Sequence, residues 1–117
     1  MSQDFCNHLC EIFEPFAPVT GKRMFGGHGL FVGGLIFGLV ADNCLYLKTD
    51  SQTKDIFLDE GLEAFIYMKK GKLVHLSFHQ APEEIYEDGD QAGIWFNRAY
   101  SAAIRSKKAK SGLKSAN

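Results

Sequence analysis

The sequence lacks the features that mark membrane, secreted and disulfide-rich proteins. Its longest apolar run, residues 35–41, falls far short of the ~20 residues that a membrane-spanning helix needs. The N-terminus has neither a basic segment nor an apolar segment behind it, so we expect no signal peptide. The three cysteines are odd in number and irregularly spaced, which argues against a disulfide framework. These absences predict a cytoplasmic protein without membrane contact.

Catalytic and cofactor motifs are also lacking. The glycines at residues 26–29 and 33–34 follow neither the order of a P-loop nor that of a dinucleotide-binding loop. No nucleophile elbow or reactive-cysteine signature is present. We therefore predict that the chain is not an enzyme and holds no cofactor. The glycines are interpreted as turn residues between strands.

Hydrophobic periodicity predicts an α+β domain, in which an antiparallel β-hairpin sheet packs with N-terminal, middle and C-terminal helices. Apolar residues at helical spacing define the first helix, and Gly-Gly and Asp-Asn pairs separate the strands. The predicted elements are a helix at 4–14, hairpins at 22–48, a helix at 50–59, a hairpin at 65–78 and a helix at 90–108.

Strict alternation along residues 73–79 predicts a strand with two different faces. His75 and His79 would lie on a polar outer face, with Cα atoms roughly 13 Å apart, too far for one metal ion. The intervening apolar side chains would point to the core. The predicted core is Phe5, Leu9, Phe13, Val40, Leu47, Val74, Leu76, Phe78 and Trp95.

The turn at residues 70–71 sets the register of the second hairpin. It places Ile66 opposite His75 and Met68 opposite Leu73 on the outer face. That face is partly apolar, and an exposed apolar patch is typical of an interaction site. We therefore predict that these four residues bind a partner protein or a second copy of the chain as a homodimer.

Charge is unevenly distributed along the chain. All 14 acidic residues lie at or before position 90, whereas residues 97–117 carry six basic and no acidic side chains. We divide the chain into a folded domain at 1–105 and a basic, flexible tail at 106–117. The residues predicted to make weak, non-specific nucleic-acid contacts are Arg105, Lys107, Lys108 and Lys110.

One stretch resembles a known family. The run RMFGGHG at residues 23–29 is similar to the opening motif of the N-terminal domain of the TfoX (Sxy) family, roughly R-M-F-G-G-x-G-aromatic. The resemblance covers about residues 5–105, nearly the whole chain. It continues with LYLK at 45–48, FIY at 65–67, Pro82 with its acidic neighbours and Trp95.

This resemblance implies a regulator of natural competence and DNA uptake in bacteria. The expected role is a transcriptional coactivator that contacts the transcription machinery, with the cyclic-AMP receptor protein as the partner that the family implies. It implies an α+β fold and no enzymatic activity. Full-length members carry a second, helical C-terminal domain, so we expect a stand-alone form of the N-terminal domain.

Arg23 opens the glycine-rich motif and has two interpretations. It either pairs with an acid of the last helices or binds a partner, because a guanidinium suits carboxylates in both settings. The alternative function is a small-ligand-binding or enzymatic module that uses Arg23 and the glycine-rich hairpin. Such a module requires a concave pocket with converging polar groups.

Cys6 and Cys10, four residues apart on a predicted helix, are the nearest approach to a metal site. No second cysteine pair accompanies them, so we interpret them as small apolar side chains. We predict that protein purified without added metal contains no stoichiometric zinc, as measured by elemental analysis. One zinc per chain would contradict this interpretation of the two thiols.

Overall fold

An antiparallel sheet with helices against one face forms the domain. The computed structural model describes residues 2–24 and 26–116, with side chains described over 4–24 and 26–108. In chain order the elements are α1 Ser2–Phe13, β1 Thr20–Met24, β2 Gly27–Val32, β3 Leu35–Ala41, β4 Cys44–Lys48, α2 Lys54–Asp59, β5 Ala64–Lys69, β6 Lys72–Gln80, a 3-10 turn Glu83–Tyr86 and α3 Gly89–Ala116. The predicted α+β class is confirmed.

Six strands of the described chain form one sheet in the order β1-β2-β3-β4-β6-β5. The first four follow one another as a meander, and all neighbours are antiparallel. After β4 the chain passes through α2, and β6 rather than β5 then pairs with β4. β1 and β5 are therefore the two edge strands, on opposite sides of the sheet.

Three tight turns fix the strand register. The central residues of each have positive φ, as a two-residue hairpin turn of type I′ requires: Gly33 and Gly34, Asp42 and Asn43, and Lys70 and Gly71. The last turn pairs Met68 with Leu73 and Ile66 with His75. The predicted register of the β5–β6 hairpin is confirmed.

A β-bulge in β3 changes which side chains face the helices. Leu30 pairs with Gly38, but the next residue of β2, Phe31, pairs with Ile36. One extra residue is therefore accommodated in β3, and Phe37 and Gly38 both point toward the helices. The bulge places Phe37 in the main core, where it is fully buried.

The main core lies between the sheet and the helices. Leu9 and Phe13, one turn apart on α1, are fully buried, and the helix ends two residues before Pro15. The ring of Phe37 contacts Phe13 of α1 at 5.4 Å and Phe96 of α3 at 4.9 Å between centroids. Val40, Leu47 and Trp95 are buried in the same core, as predicted.

The opposite face of the sheet, here called the open face, carries a second and smaller cluster. Its buried residues are Leu39, Phe65 and Phe78, and only strand residues pack against them among those described. Val74, Leu76 and Phe78 were predicted to join the main core, and this is wrong: Phe78 is buried in the open-face cluster, and Val74 and Leu76 are half-buried on the same face. The β6 side chains that face the helices are the alternate ones, and His79 is buried there at 7% exposure instead of lying on a polar outer face.

The last helix, α3, begins at Gly89 and extends to Ala116, beyond the predicted end at residue 108. Ala99 and Ala102 are buried on its inner face, as predicted, and the guanidinium of Arg98 lies 4.6 Å from the Trp95 ring centroid. The division at residue 105 and the flexibility of 106–117 stay predictions. Across the described residues, no helix has the length and apolar character that a bilayer crossing requires.

Gly27 is a position where the fold has no room for a side chain. A Cβ there would lie 1.8 Å from the carbonyl oxygen of Val40, which the neighbouring strand holds in place. We expect Gly27→Ala to lower the free energy of unfolding by about 3 kcal/mol or more, because backbone must move. Urea unfolding followed by circular dichroism measures the change.

Gly89→Ala is the matched control. No atom lies within 4 Å of a Cβ built at Gly89, which begins α3. We expect this variant to unfold within about 1 kcal/mol of the wild type, since alanine suits a helix. Equal stability of the two variants would contradict the close β2–β3 packing described above.

Candidate protein-interaction surface

Four of the predicted partner-binding residues lie together on the β5–β6 hairpin. Ile66 is 47% exposed, Met68 59% and Leu73 63%, and His75 is also exposed. Because Met68 faces Leu73 and Ile66 faces His75 across the two strands, all four share one face. We call this group the hairpin patch. Its three apolar members form a contiguous surface of the kind found at binding sites.

The hairpin patch is exposed because the helices stop short of it. It lies on the helix-facing side of β6, the side to which His79 also points. At His79 that side is covered, since the Phe57 ring of α2 lies 5.7 Å from the imidazole. Four residues earlier along β6, His75 is exposed. The hairpin therefore projects its apolar face beyond the edge of the helical layer.

A cleft of about 440 Å³ lies beside the patch. Its wall includes His75, so the cleft and the patch share a residue. Three of the residues that line it are apolar, namely Leu58, Ala64 and Leu76. The others carry hydrogen-bonding or charged groups: Thr49, Asp50, Ser51, Lys54, His75, Ser77 and His79. The cleft could not be predicted from the sequence, because its walls come from the turn after β4, from α2 and from the β5–β6 hairpin, which only the fold brings together.

His79 forms the buried end of the cleft. Its Nδ1 lies 2.9 Å from Oγ1 of Thr49, and both side chains are buried. Burial lowers the pKa of His79, and the nearby Lys54 ammonium lowers it further. The imidazole is therefore held neutral near pH 7, where it can accept or donate a hydrogen bond at Nδ1 according to its tautomer.

Asp50 joins the turn after β4 to the second half of α3. Its carboxylate accepts hydrogen bonds from Arg105, with Nε to Oδ2 at 2.5 Å and Nη2 to Oδ1 at 3.2 Å. The same carboxylate accepts the backbone N–H groups of Gln52 and Thr53. The Arg105 hydrogen bond is the main cause that holds the Asp50 pKa below its usual value. This fork-like pair fixes the guanidinium in place.

The predicted nucleic-acid residues are thus only partly brought together. Arg105 binds Asp50, whereas Lys107 and Lys108 are exposed on the next turn of α3. The Lys110 side chain lies outside the described residues. Contact between these side chains and DNA stays a prediction.

Arg23 is separated from the hairpin patch by the width of the sheet. It is exposed on β1, at the edge opposite β5, and within the described residues it forms no ion pair. The adjoining glycines do not form a cradle for a ligand. Val40 fills the space at Gly27, and the side chains of Met24 and Phe31 fill the space at Gly29.

Cys6 and Cys10 lie on the core side of α1 rather than in a reactive setting. Burial, with the adjacent Cys10 thiol, raises the pKa of Cys6 to about 11. A thiol with so high a pKa is a poor nucleophile at neutral pH. Within the described residues, no three His, Cys, Asp or Glu side chains are grouped in a way that would hold a metal ion.

Two comparisons with known proteins point to the same family. The model of the TfoX N-terminal domain family matches residues 11–103. DNA transformation protein TfoX1 of Aliivibrio fischeri (strain ATCC 700601 / ES114) is 32% identical over 81 residues, which cover 66% of this chain. The match spans 39% of the length of that relative.

The buried His79 generates a prediction about pH. Its folded pKa is lowered, so below about pH 6.5, the pKa of an unperturbed histidine, the unfolded chain binds more protons than the folded one. The free energy of unfolding should therefore fall between pH 7 and pH 5. Urea unfolding of the wild type and of His79→Gln over this range should show a shallower dependence in the variant.

His75→Gln is the control for this experiment. It removes a histidine from the same strand at an exposed position, without disturbing the Thr49 contact. We expect its pH dependence to follow that of the wild type more closely than His79→Gln does. A wild-type dependence that survives in His79→Gln would assign the effect to another group.

Proposed function

The chain belongs to the TfoX N-terminal domain family, and on that premise we propose that it regulates DNA-uptake genes as a transcriptional coactivator. The relative from Aliivibrio fischeri is named a DNA transformation protein. We propose that this chain also takes part in DNA transformation, and that it does so by binding a partner and not by catalysis. The partner we propose is a protein of the transcription machinery, with the cyclic-AMP receptor protein as first candidate.

The hairpin patch is the observation that carries this proposal. Met68 and Leu73 are paired across β5 and β6, and each leaves more than half of its surface exposed. Large flexible apolar side chains so placed gain free energy when a partner covers them. Pairing of β5 with β6 fixes the backbone that carries them, which reduces the entropy lost on binding.

The surroundings of the patch define the chemistry of the partner. Lys70 lies in the turn at the hairpin tip and Lys54 lies at the adjacent cleft, whereas Lys69 and Lys72 point to the opposite face of the hairpin. An apolar centre with a basic rim suits a partner that has an apolar groove bordered by acidic side chains. The lysines would speed association and fix orientation, while the apolar pair would supply most of the affinity.

The proposal gives DNA a minor role. Lys107, Lys108 and Lys110 are the side chains proposed for weak, non-specific contact with the phosphate backbone. Arg105 is bound to Asp50 and would have to give up that pair to contribute. Recognition of a promoter would then come from the partner rather than from this chain.

The test is partner binding by variants of the hairpin patch. We expect Met68→Gln combined with Leu73→Gln to weaken binding to purified cyclic-AMP receptor protein, saturated with cyclic AMP, by about tenfold or more. Both positions are exposed, so the melting temperature should stay close to that of the wild type. Biolayer interferometry measures the dissociation constant.

Ile94→Gln is the matched control, because Ile94 is 46% exposed but lies on α3. We expect it to bind like the wild type. If the patch variant and the control bind equally well, the patch is not the contact surface. If the wild type is a dimer that the patch variant dissociates, the patch serves a second copy of the chain and the coactivator proposal loses its basis.

A further inference from the structure

Acidic residues are absent from every strand of the described sheet. The 14 acidic residues of the chain lie in helices, turns and connections, while the strands carry Lys22, Arg23, Lys48, Lys69 and Lys72. Strand alternation and the pairing register place the four lysines on the open face. A chain with a net charge of only −1 thus presents one broad face whose strand charges are all positive.

The open face is also aromatic. Phe31, Tyr46 and Tyr67 are half-buried there, and the Tyr46 ring packs on Phe65 with centroids 4.8 Å apart. Two of the lysines lie over rings: Nζ of Lys22 is 5.1 Å from the Phe31 centroid, and Nζ of Lys48 is 5.0 Å from that of Phe78. The face therefore alternates flat apolar rings with ammonium groups.

One end of the open face continues into a cleft of about 250 Å³. The cleft lies where α3 passes the β2–β3 turn, and none of its lining residues is acidic. Its main lining side chains are Phe31, Ile36, Lys48, Ala103, Ser106 and Lys107. It joins the lysines of the sheet to the basic end of α3, so that Lys48 and Lys107 line one groove with an aromatic ring beside them.

We propose that this cleft and the adjoining open face bind single-stranded nucleic acid. Lys22, Lys48 and Lys107 would contact successive phosphates, and an unpaired base would stack on Phe31 as Nζ of Lys22 moves from the ring to a phosphate. The proposal goes beyond the coactivator role and uses the side of the sheet opposite to the hairpin patch. Its failure would therefore leave the hairpin patch untouched.

Charge complementarity and ring geometry select this occupant. A surface with four lysines and no strand acid favours a polyanion over a neutral or basic protein. Half-buried rings beside ammonium groups are the arrangement that binds single strands without sequence preference, because each base offers a flat face for stacking. In a duplex the base faces are already stacked on one another, so the Phe31 ring would have nothing to cover.

Two acidic residues, Asp42 and Glu63, influence the open face, and they lie at the end of the sheet away from the β2–β3 turn. Burial raises the pKa of Tyr46, and Cys44, Asp42 and Glu63 raise it further. Asp42 lies in the β3–β4 turn, and this turn and the β2–β3 turn are at opposite ends of the strands. The phosphate chain would therefore run from Lys22 across Phe31 to Lys107, away from these carboxylates.

The test is fluorescence anisotropy with a fluorescein-labelled oligothymidylate of about 20 nucleotides. Wild-type affinity should fall with salt with a log–log slope of about −2, given three neutralised phosphates at about 0.7 each. Lys48→Gln and Lys107→Gln should each reduce the slope by about 0.7. Phe31→Leu, which keeps an apolar side chain, should weaken binding about fivefold or more with little change in slope.

Lys54→Gln is the matched control: it removes the same charge at an exposed position on α2, on the helix side of the sheet. We expect it to bind within about twofold of the wild type. If Lys54→Gln and Lys48→Gln lose the same amount of affinity for the oligothymidylate, the binding depends only on the overall charge of the chain, and the proposed site is wrong. Unchanged binding by Phe31→Leu would do the same, since the ring is central to the proposal.

Two competitors test the identity of the occupant. An unlabelled duplex of equal length should compete more weakly than the unlabelled single strand, because its bases are not available for stacking. Poly-glutamate should also compete weakly, since it offers charge without bases. Equal or better competition by poly-glutamate would identify the face as a docking surface for acidic protein, and would overturn the nucleic-acid proposal.

Discussion

The contact between Phe13, Phe37 and Phe96 is the interaction on which the architecture depends. It joins the N-terminal helix, the middle of the sheet and the C-terminal helix through three rings whose centroids are 4.9–5.8 Å apart. Edge-to-face and tilted ring pairs add free energy beyond the area they bury. The contact exists because the bulge in β3 turns Phe37 toward the helices. One extra residue in β3 therefore lets Phe37 and Val40, which lie three positions apart, both face the helices.

Coverage of one face leaves two surfaces with different chemistry. On the covered side, the helices extend over β6 only as far as His79, so the end of the β5–β6 hairpin shows an apolar face. On the open side, a small cluster around Leu39 and Phe78 supports rings and lysines. The first surface suits a folded protein partner, and the second suits a flexible polyanion. A single domain can thus offer two separate contacts.

The Asp50–Arg105 ion pair links α3 to the turn after β4, which lies between the two surfaces. It holds α3 against the turn that follows β4, and Lys107 lies only two residues further along the helix. The pair therefore positions Lys107 at the cleft opposite Lys48 of β4. Asp50 also lines the cleft beside the hairpin patch. The charge of Arg105 predicted a contact with nucleic acid, and that contact stays a prediction; in the structure its guanidinium is bound to Asp50.

The amino-acid sequence alone determined the helices, the strands, the turns and the hairpin patch. Helical spacing, turn residues that favour positive φ and period-two alternation each depend only on residues close together in the sequence. The register that exposes Met68 opposite Leu73 follows from one two-residue turn. Tertiary structure alone decided which side of each strand the helices cover. The β3 bulge and the insertion of β6 beside β4 involve partners distant in sequence, so alternation could not show that His79 is buried and Phe78 lies on the open face.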